Sequence, residues 1–449
     1  MSNERSGFSS RLGFVLATAG SAVGLGNIWR FPYLAAKYGG GTFLLTYLIL
    51  TLTFGFSLMI TEVALGRKAG TSAIRAFGHF SKKHTFIGYL TTIIPFIIFP
   101  YYCVIGGWVT KYALISLQGG IHNAASDTFF TGFISKSAEP MICVLVFLIA
   151  TTVVVAGGVK GGVERVSTIM MPVLIVLLIG VSLFCITRPG AMAGVAYYLK
   201  PSLKGFGPTT ILAALGQLFY SMSLAMGIMI TFGSYMPKKA DLEKSVTQVE
   251  IFDTGVAFLA GLIPAVFVFS NGDSSMLAKG PSLMFVMLPK VFNSMAFSSV
   301  IAAVFFILVL LAALTSSISL LETLVAVLMD KFHMKRGTAC ITMFIIALLL
   351  AVPSSLGFGA WSNITILGFD FLDFFDFISN SVLMPIAAFL TCLFVGYIIK
   401  PKVIVDEVES SGEFKRKSLF LIMVKYIAPI CIVAILVFSV LEGLGFITV

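Results

Sequence analysis

The chain contains 449 residues, of which 58% are hydrophobic and only 11% are charged. A soluble globular domain is about 45–50% apolar and about 25% charged, so this composition excludes that class and indicates a membrane protein. The net charge of +10 does not indicate a nucleic-acid partner, because most basic residues lie in alternate segments between apolar runs.

Apolar runs of about 20 residues, enough for a helix to cross a bilayer, recur along the whole chain. The first run is not a signal peptide, because it lacks a small-residue cleavage site and is followed at once by Arg30 and Lys37. We predict an all-α polytopic protein of the lipid bilayer with eleven spans, at about residues 12–35, 42–65, 88–117, 139–157, 166–187, 208–233, 247–270, 299–329, 338–354, 377–399 and 419–441.

The 30 Lys and Arg residues predict the orientation of these spans. Cytoplasmic loops carry an excess of basic residues, and most of these side chains share one side when the spans are counted from the N-terminus. The N-terminus is therefore predicted to be cytoplasmic. Eleven spans then place the C-terminus on the extracellular side. The protein is predicted to lie in the cell (inner) membrane.

The first span contains Gly-Ser-Ala-Val-Gly-Leu-Gly-Asn over residues 20–27. Each glycine weakens a helix by about 1 kcal/mol relative to alanine, and backbone groups freed inside a membrane need partners from protein or a water-lined cavity. Gly20 and Gly24 alone would also fit a helix-packing motif. The sixth span has a second interruption, Ser-Met-Ser-Leu-Ala-Met-Gly over residues 221–227. Two interruptions five spans apart predict an inverted-repeat transporter with its site near the midplane.

Several short motifs in spans 1 to 10, with matching order and spacing, resemble the bacterial amino-acid branch of the neurotransmitter:sodium symporter family. They are Arg11-Leu12-Gly13, Gly20 to Asn27, Arg30-Phe31-Pro32, Gly39-Gly40-Gly41, Gly216-Gln217, Ser221 to Leu224 and Leu314 to Ser317. The resemblance implies a LeuT-type fold, a five-plus-five inverted repeat with spans 1 and 6 broken at the midplane. It implies one transport domain over 1–449, with the first repeat at 1–205, the second at 206–400, and a cytoplasmic loop and span 11 at 401–449.

The resemblance also implies two sodium ions, each held by the oxygen ligands that hard cations prefer. The hydroxyl ligands of the second site have an alternative role, since Ser and Thr in membrane helices often bond to the preceding turn. The first site would use Ala22, Asn27 and Ser221 with the substrate carboxylate. The second would use the carbonyls of Gly20, Val23 and Ala312 and the hydroxyls of Thr315 and Ser316.

Asp253 lies inside span 7, where a carboxylate is costly and indicates function. In chloride-dependent relatives a serine in this region lies beside the first sodium site, and chloride supplies the negative charge. Asp253 would replace that chloride or, in a register one helical turn away, act as a ligand of the first sodium. A third interpretation is a side chain that reaches the surface from the span end. The resemblance implies that Tyr47 and Gln217 line the same pocket and that Glu62 accepts N–H groups of the broken span 6.

The amino-acid pocket that the resemblance implies lies between the two breaks. The N–H groups of Leu25 and Gly26 at a half-helix N-terminus, with the Tyr102 hydroxyl, would bind the substrate carboxylate. Monoamine transporters of the family carry an aspartate at the position of Gly24, so Gly24 favours an amino acid, and apolar walls favour a hydrophobic or aromatic one. Ala225 stands where many relatives have glycine. The predicted pocket comprises Ser21, Ala22, Leu25, Gly26, Ile98, Tyr102, Tyr220, Ser221, Ser223, Met226, Ser316 and Leu320.

Two charge pairs are predicted as gates. On the outer side Arg30 would pair with Asp376, with Asp373 as the alternative partner. On the inner side Arg5 would pair with Asp330, covered by Tyr235. The alternative is a set of exposed interfacial charges, whose pairs contribute 0–1 kcal/mol.

The predicted function is a sodium-coupled secondary active symporter. It would import a hydrophobic or aromatic amino acid by alternating access, without chloride, as spans 1, 2, 6 and 7 rock against the rest. A proton-coupled or exchanging carrier and a non-transporting amino-acid sensor remain as alternatives. The sequence has no nucleophile–base, metal-cluster or phosphate-loop motif, so an enzyme is not expected, and the protein is predicted to be a monomer or weak dimer.

Overall fold

The computed structural model describes residues 7–202, 206–270, 282–295 and 297–446, with the backbone alone over 264–270. All regular elements in these ranges are helices, and the β-structure consists of one isolated bridge between Ile366 and Phe369. The prediction of an all-α protein is therefore confirmed.

Nine described helices are long and apolar enough to cross a membrane, and they correspond to predicted spans 2–5 and 7–11. Several begin or end a few residues beyond the predicted limits, because polar residues at the ends continue the helix past the apolar run. In chain order these spans are Gly41–Ala69, Lys82–Leu117, Ala138–Ala156, Val159–Ile186, Leu242–Ser270, Ser298–Phe332, Arg336–Leu356, Phe371–Ile398 and Lys417–Gly443.

Span 1 is broken in the middle, as predicted. Its first half, Arg11–Ala22, begins where the Ser10 side chain accepts a hydrogen bond from the Gly13 N–H. At Val23 the backbone becomes extended (φ −78°, ψ 92°), and the second half, Gly26–Lys37, leaves at a bend of 52°. The glycines therefore interrupt the helix inside the apolar region.

Span 6 is broken as well, between Pro208–Ser221 and Ile228–Tyr235. Three residues of the connection have positive φ: Ser223 (52°), Ala225 (62°) and Gly227 (72°). A non-glycine residue in this region of φ is strained by about 1–2 kcal/mol, so the surrounding structure has to hold Ser223 and Ala225 in place. With the bent span 1 counted as one span, the described residues contain ten spans that are long and apolar enough to cross a membrane. The two shorter helices of span 6 stand at the position of the remaining predicted span.

Close packing positions the broken helices. Span 3 packs along span 8, and the second half of span 6 packs along span 2. At this second contact two glycines let the backbones approach, because a methyl group at Gly66 would lie 1.8 Å from the Ile230 carbonyl oxygen, and one at Gly233 would lie 2.3 Å from that of Val63. Spans 2 and 6 are therefore joined closely over this stretch.

The substitution Gly66→Ala tests this packing. The added methyl group has to push the two helices apart, so we expect a loss of roughly 1–3 kcal/mol, seen as a lower melting temperature of the purified protein. Gly180→Ala is the matched control, because nothing lies within 4 Å of a methyl group there. Equal melting temperatures for the two variants would contradict the close packing.

Candidate functional site

The two breaks meet at a cavity near the middle of the molecule. All twelve residues of the predicted substrate pocket line it, and three further residues, Gly24, Asn27 and Ile228, contribute to the wall. Its lining combines backbone groups and hydroxyls with apolar side chains. The lining residues are Ser21, Ala22, Gly24, Leu25, Gly26, Asn27, Ile98, Tyr102, Tyr220, Ser221, Ser223, Met226, Ile228, Ser316 and Leu320.

Three polar groups converge at one end of this cavity. The Tyr102 hydroxyl is buried and forms no hydrogen bond within the described residues, and its polar neighbours are the Leu25 N–H and the Ser316 hydroxyl. A methyl group added at Gly24 would lie 2.5 Å from the Ser316 hydroxyl oxygen and 3.4 Å from that of Tyr102. This end therefore offers hydrogen-bond donors, with room that depends on glycine at position 24.

Serine side chains join the breaks to each other. The Ser223 hydroxyl donates to the Ser21 carbonyl at 3.0 Å, and the Ser21 hydroxyl donates to the Ser223 hydroxyl at 3.3 Å. Ser316 of span 8 donates to the carbonyls of Ser21 at 3.1 Å and Gly20 at 3.4 Å. Backbone groups freed by the break in span 1 therefore find partners on spans 6 and 8.

Glu62 of span 2 supports the break in span 6. Its Oε1 accepts a hydrogen bond from the Ala225 N–H at 2.7 Å, and only 2% of the residue is exposed. Ala225 is one of the two non-glycine residues with positive φ in this connection. The carboxylate therefore holds the strained connection at the position where the sequence implied a capping role.

Asp253 is completely buried between three other polar side chains. Its Oδ1 accepts hydrogen bonds from Asn27 Nδ2 at 2.8 Å and from the Ser221 hydroxyl at 2.7 Å. Its Oδ2 accepts a hydrogen bond from the Tyr47 hydroxyl at 2.9 Å. Because all three donors are inside the protein, the interpretation of Asp253 as a side chain that reaches the surface is wrong.

The two carboxylate oxygens face different groups of predicted site residues. Oδ1 lies against Asn27 and Ser221, which were predicted around the first sodium, and Oδ2 lies against Tyr47, which was predicted in the chloride region. The Asp253 side chain thus adjoins both groups of predicted residues. Its position is therefore compatible with both proposed roles, as the substitute for chloride and as a ligand of the first sodium. Gln217 takes a different partner, since its Nε2 donates to the Gly26 carbonyl at 2.9 Å.

Four of the five residues of the predicted second sodium site, Gly20, Ala312, Thr315 and Ser316, come together between spans 1 and 8. Thr315 donates to the carbonyls of Ala312 at 3.0 Å and Leu311 at 3.1 Å within its own helix. Ser316 instead reaches across to the Gly20 carbonyl. A methyl group at Gly20 would lie 3.2 Å from the Thr315 Cβ, so the two helices touch here. Thr315 thus forms the hydrogen bond to the preceding turn that was given as the alternative role. Its hydroxyl oxygen still has lone pairs with which it can bind a cation.

These oxygens are the hard ligands that alkali and alkaline-earth cations prefer. Within the described ranges no three His, Cys, Asp or Glu side chains are grouped as a transition-metal site would require. The arrangement is suited to a weakly held cation with carbonyl, hydroxyl, amide and carboxylate ligands. Val23, the remaining member of the second predicted group, lies at the extended end of the first half-helix.

The outer charged residues do not form the predicted ion pair. Arg30 lies over the Tyr220 ring, 5.4 Å from its centroid, and none of the ion pairs among the described residues joins it to Asp376 or Asp373. Asp376 accepts hydrogen bonds from the Tyr101 hydroxyl at 3.1 Å and from Asn380 Nδ2 at 2.6 Å. In this conformation Arg30 and Asp376 therefore contact other groups instead of forming a direct ion pair, and their pairing as an outer gate stays a prediction.

On the inner side, Arg5 lies outside the described residues. Asp330 accepts a hydrogen bond from the Ser72 N–H at 2.7 Å. Tyr235 donates to Glu322 at 2.8 Å, and its carbonyl accepts the Phe8 N–H at 3.0 Å. The predicted members of this gate thus adjoin spans 1, 2 and 8.

Sequence reasoning missed the strongest ion pair of this region. Arg336 binds the fully buried Glu322 through two hydrogen bonds, at 2.6 Å and 2.9 Å, and also donates to the Val155 carbonyl. Glu322 and Arg336 lie on either side of the turn between spans 8 and 9. The acidic residue inside an apolar helix was the available signal.

The chain is similar in sequence and in structure to known proteins. The model of the sodium:neurotransmitter symporter family matches residues 5–132 and 129–444. YhdH, an uncharacterised sodium-dependent transporter of Bacillus subtilis, is 35% identical over 95% of this chain and 96% of its own. An uncharacterised sodium-dependent transporter of Haemophilus influenzae is 34% identical over 97% of this chain and 98% of its own. The crystal structure of MhsT in complex with L-phenylalanine is 37% identical and has a TM-score of 0.88, covering 97% of this chain and 100% of that one.

The pair Glu322–Arg336 can be tested by a double-mutant cycle. Arg336→Ala leaves a buried carboxylate without its partner, so we expect a loss of about 3–5 kcal/mol, measured as a lower melting temperature. Adding Glu322→Gln removes the unpaired charge, so the double variant should recover part of that loss. Strictly additive effects of the two substitutions would contradict a coupled pair.

Proposed function

Because the chain belongs to the sodium:neurotransmitter symporter family, we propose that it is a sodium-coupled symporter that imports a hydrophobic or aromatic amino acid without chloride. Membership makes it a sodium-dependent transporter rather than an enzyme, and its many apolar helices make it a multi-pass membrane protein. The LeuT-type fold is confirmed by the match to MhsT. The observation that carries the proposal is the cavity between the two breaks, whose lining combines hydrogen-bonding groups with apolar side chains.

The carboxylate and the side chain of an amino-acid substrate would each match a different part of this cavity. An amino-acid carboxylate would accept hydrogen bonds from the Tyr102 hydroxyl and the Leu25 N–H, two donors that adjoin at the buried end. Without such an acceptor, the buried Tyr102 hydroxyl costs about 1–3 kcal/mol. The side chain would lie among Ile98, Met226 and Leu320, where methionine adapts its shape to different apolar groups. This arrangement supports an amino acid with a large apolar side chain, the class to which the ligand of MhsT belongs.

Sodium would couple to this substrate through shared ligands. In the proposed first site, Asn27 and Ser221 hold the ion together with the substrate carboxylate, so each ligand completes the surroundings of the other. Such coupling is reciprocal, because each ligand raises the affinity for the other by the same factor. One sodium entering down 100 mV and a tenfold gradient supplies about 2.3 and about 1.4 kcal/mol. Two ions would therefore support an amino-acid gradient of about 10⁵-fold.

Asp253 would supply the negative charge that balances the first sodium. It is buried, it accepts hydrogen bonds from Asn27 and Ser221, and its other oxygen faces Tyr47. A carboxylate attached to span 7 occupies the place of a chloride ion in chloride-dependent relatives and needs no binding step. We further propose that the N-terminus is cytoplasmic, that the protein lies in the cell (inner) membrane, and that it is a monomer or weak dimer.

Uptake into proteoliposomes tests this proposal. Radiolabelled L-phenylalanine should accumulate with sodium outside, should not accumulate when potassium replaces sodium, and should accumulate equally when gluconate replaces chloride. Asp253→Ser should reduce uptake at least tenfold in gluconate, and chloride should restore part of it, because a mobile anion then supplies the lost charge.

The control for that experiment is Glu250→Gln, which removes a buried carboxylate that is paired with Arg416 at 2.8 Å instead of accepting hydrogen bonds from Asn27 and Ser221. It should leave uptake independent of chloride. A chloride requirement of the unmodified protein would contradict the role of Asp253. Sodium-independent uptake would indicate a proton-coupled or exchanging carrier instead of a sodium symporter. Binding of L-phenylalanine without uptake would indicate a sensor.

Gly24→Ala tests the donor end of the cavity. Its methyl group would lie 2.5 Å from the Ser316 hydroxyl oxygen, so we expect L-phenylalanine to bind at least tenfold more weakly at saturating sodium. Gly255→Ala is the matched control, since nothing lies within 4 Å of a methyl group there. Unchanged binding by Gly24→Ala would place the substrate elsewhere.

A further inference from the structure

A second concave surface lies where span 10 ends and span 11 begins, and it shares no lining residue with the substrate cavity. It is a groove of about 690 Å³ between the short helix Lys402–Glu409 and the first turns of span 11. Its lining combines basic, acidic and apolar side chains. These residues are Lys400, Pro401, Lys402, Val405, Asp406, Glu409, Lys417, Leu421, Ile422, Lys425 and Tyr426.

The groove carries an excess of positive charge. Of its four lysines, Lys417 pairs with Glu409 at 2.8 Å. Lys400, Lys402 and Lys425 form no ion pair with a carboxylate anywhere in the described part of the chain. Asp406 is the other acid of the lining and is exposed. Three lysines and one acid without ion pairs therefore share a single concave surface, on which positive charge is in excess.

The groove lies at the level expected for the membrane–water interface. Tyr397 at the end of span 10 is 52% exposed, and its hydroxyl donates to the Lys425 carbonyl at 2.6 Å. Tyr426 is 54% exposed, and the Lys425 ammonium lies 5.3 Å from its ring centroid. Exposed tyrosines are typical of the interface, and Tyr426, in the third turn of span 11, lies beside the end of span 10 because Tyr397 contacts its neighbour Lys425. This side of the chain carries the excess of Lys and Arg.

An apolar face continues from the groove along span 11. Ile422, which lines the groove, is 52% exposed, and Ile430, two turns further along the span, is 71% exposed. Such side chains face acyl chains in a bilayer. The surface therefore has basic residues at the head-group level and apolar residues beside them, and this order of charge and hydrophobicity matches a phospholipid.

One wall of the groove is held rigidly. The helix Lys402–Glu409 buries Ile404, Glu407 and Val408. Glu407 accepts a hydrogen bond at 2.8 Å from Arg67, whose guanidinium also donates to the Ala240 carbonyl. This buried contact attaches the helix to span 2 and to the connection between spans 6 and 7. This wall of the groove is therefore preformed, so a ligand need not order it.

We propose that this groove binds the phosphate of an anionic glycerophospholipid. Lys400, Lys402 and Lys425 contact the head group, and the acyl chains lie along the exposed face of span 11. A membrane lipid is the source of the phosphate, because soluble phosphate would use the lysines but not the adjoining apolar face. The basic groove between helix ends is the kind of site that recognises anionic head groups.

Native mass spectrometry of the purified full chain, titrated with dioleoyl phosphatidylglycerol or dioleoyl phosphatidylcholine, tests this proposal. Phosphatidylglycerol should bind in preference. The variant K400Q/K402Q/K425Q should bind it at least tenfold more weakly, because each basic residue near an anionic surface changes binding about fivefold. The matched control is K82Q/K83Q/K160Q, which removes the same charge from exposed lysines outside the groove and should retain binding.

A second variant keeps the test decisive if the triple variant does not fold. Asp406→Asn removes the unpaired acid of the groove and should strengthen phosphatidylglycerol binding severalfold. Equal losses in the groove variant and the control would show attraction to the whole surface and would overturn the proposal. Equal binding of the two lipids, or an Asp406→Asn variant that binds no better, would also overturn it.

Discussion

A helix that breaks inside a membrane frees backbone N–H and C=O groups that lipid cannot satisfy, so each needs a partner within the protein. Here the two breaks satisfy each other, since Ser223 of span 6 donates to the Ser21 carbonyl and Asn27 of span 1 donates to Ser221. Glu62 of span 2 accepts the Ala225 N–H of the strained connection. The remaining polar groups face the cavity, so the requirement that keeps the breaks stable also produces a binding site.

The same requirement explains a buried acid next to these breaks. A carboxylate inside the protein is stable only when charged or polar groups surround it, and Asp253 has three donors, on Asn27, Ser221 and Tyr47. These donors lie on spans 1, 6 and 2, so the side chain of span 7 contacts the other three spans that are expected to move together. In the proposed mechanism, a sodium ion beside Asp253 strengthens that contact and thereby favours one arrangement of these spans over the other.

Local sequence was sufficient to predict the two breaks. Gly20, Gly24 and Gly26 weaken a helix wherever it lies, and the family resemblance then supplied the lining residues.

The side-chain pairs were not predictable in the same way. Arg67 and Glu407 are 340 residues apart, and their contact depends on how spans 2, 10 and 11 pack. For the same reason the contacts of Arg30 and Asp376 in this conformation were not predictable, because neighbours on spans 3, 6 and 10 decide which group each charge meets. Register was a further difficulty, since an error of one turn in span 7 left Asp253 between two roles, and the structure shows one oxygen facing each.

The central claim is that sodium and the substrate carboxylate complete one shared site between the breaks. Its most direct test is reciprocity at equilibrium, measured with purified protein and without transport. The affinity for L-phenylalanine is determined at low and saturating sodium, and the affinity for sodium is determined without and with L-phenylalanine. The account predicts that each ligand tightens the binding of the other by the same factor, at least tenfold. L-phenylalanine affinity that does not change with sodium would contradict the shared site.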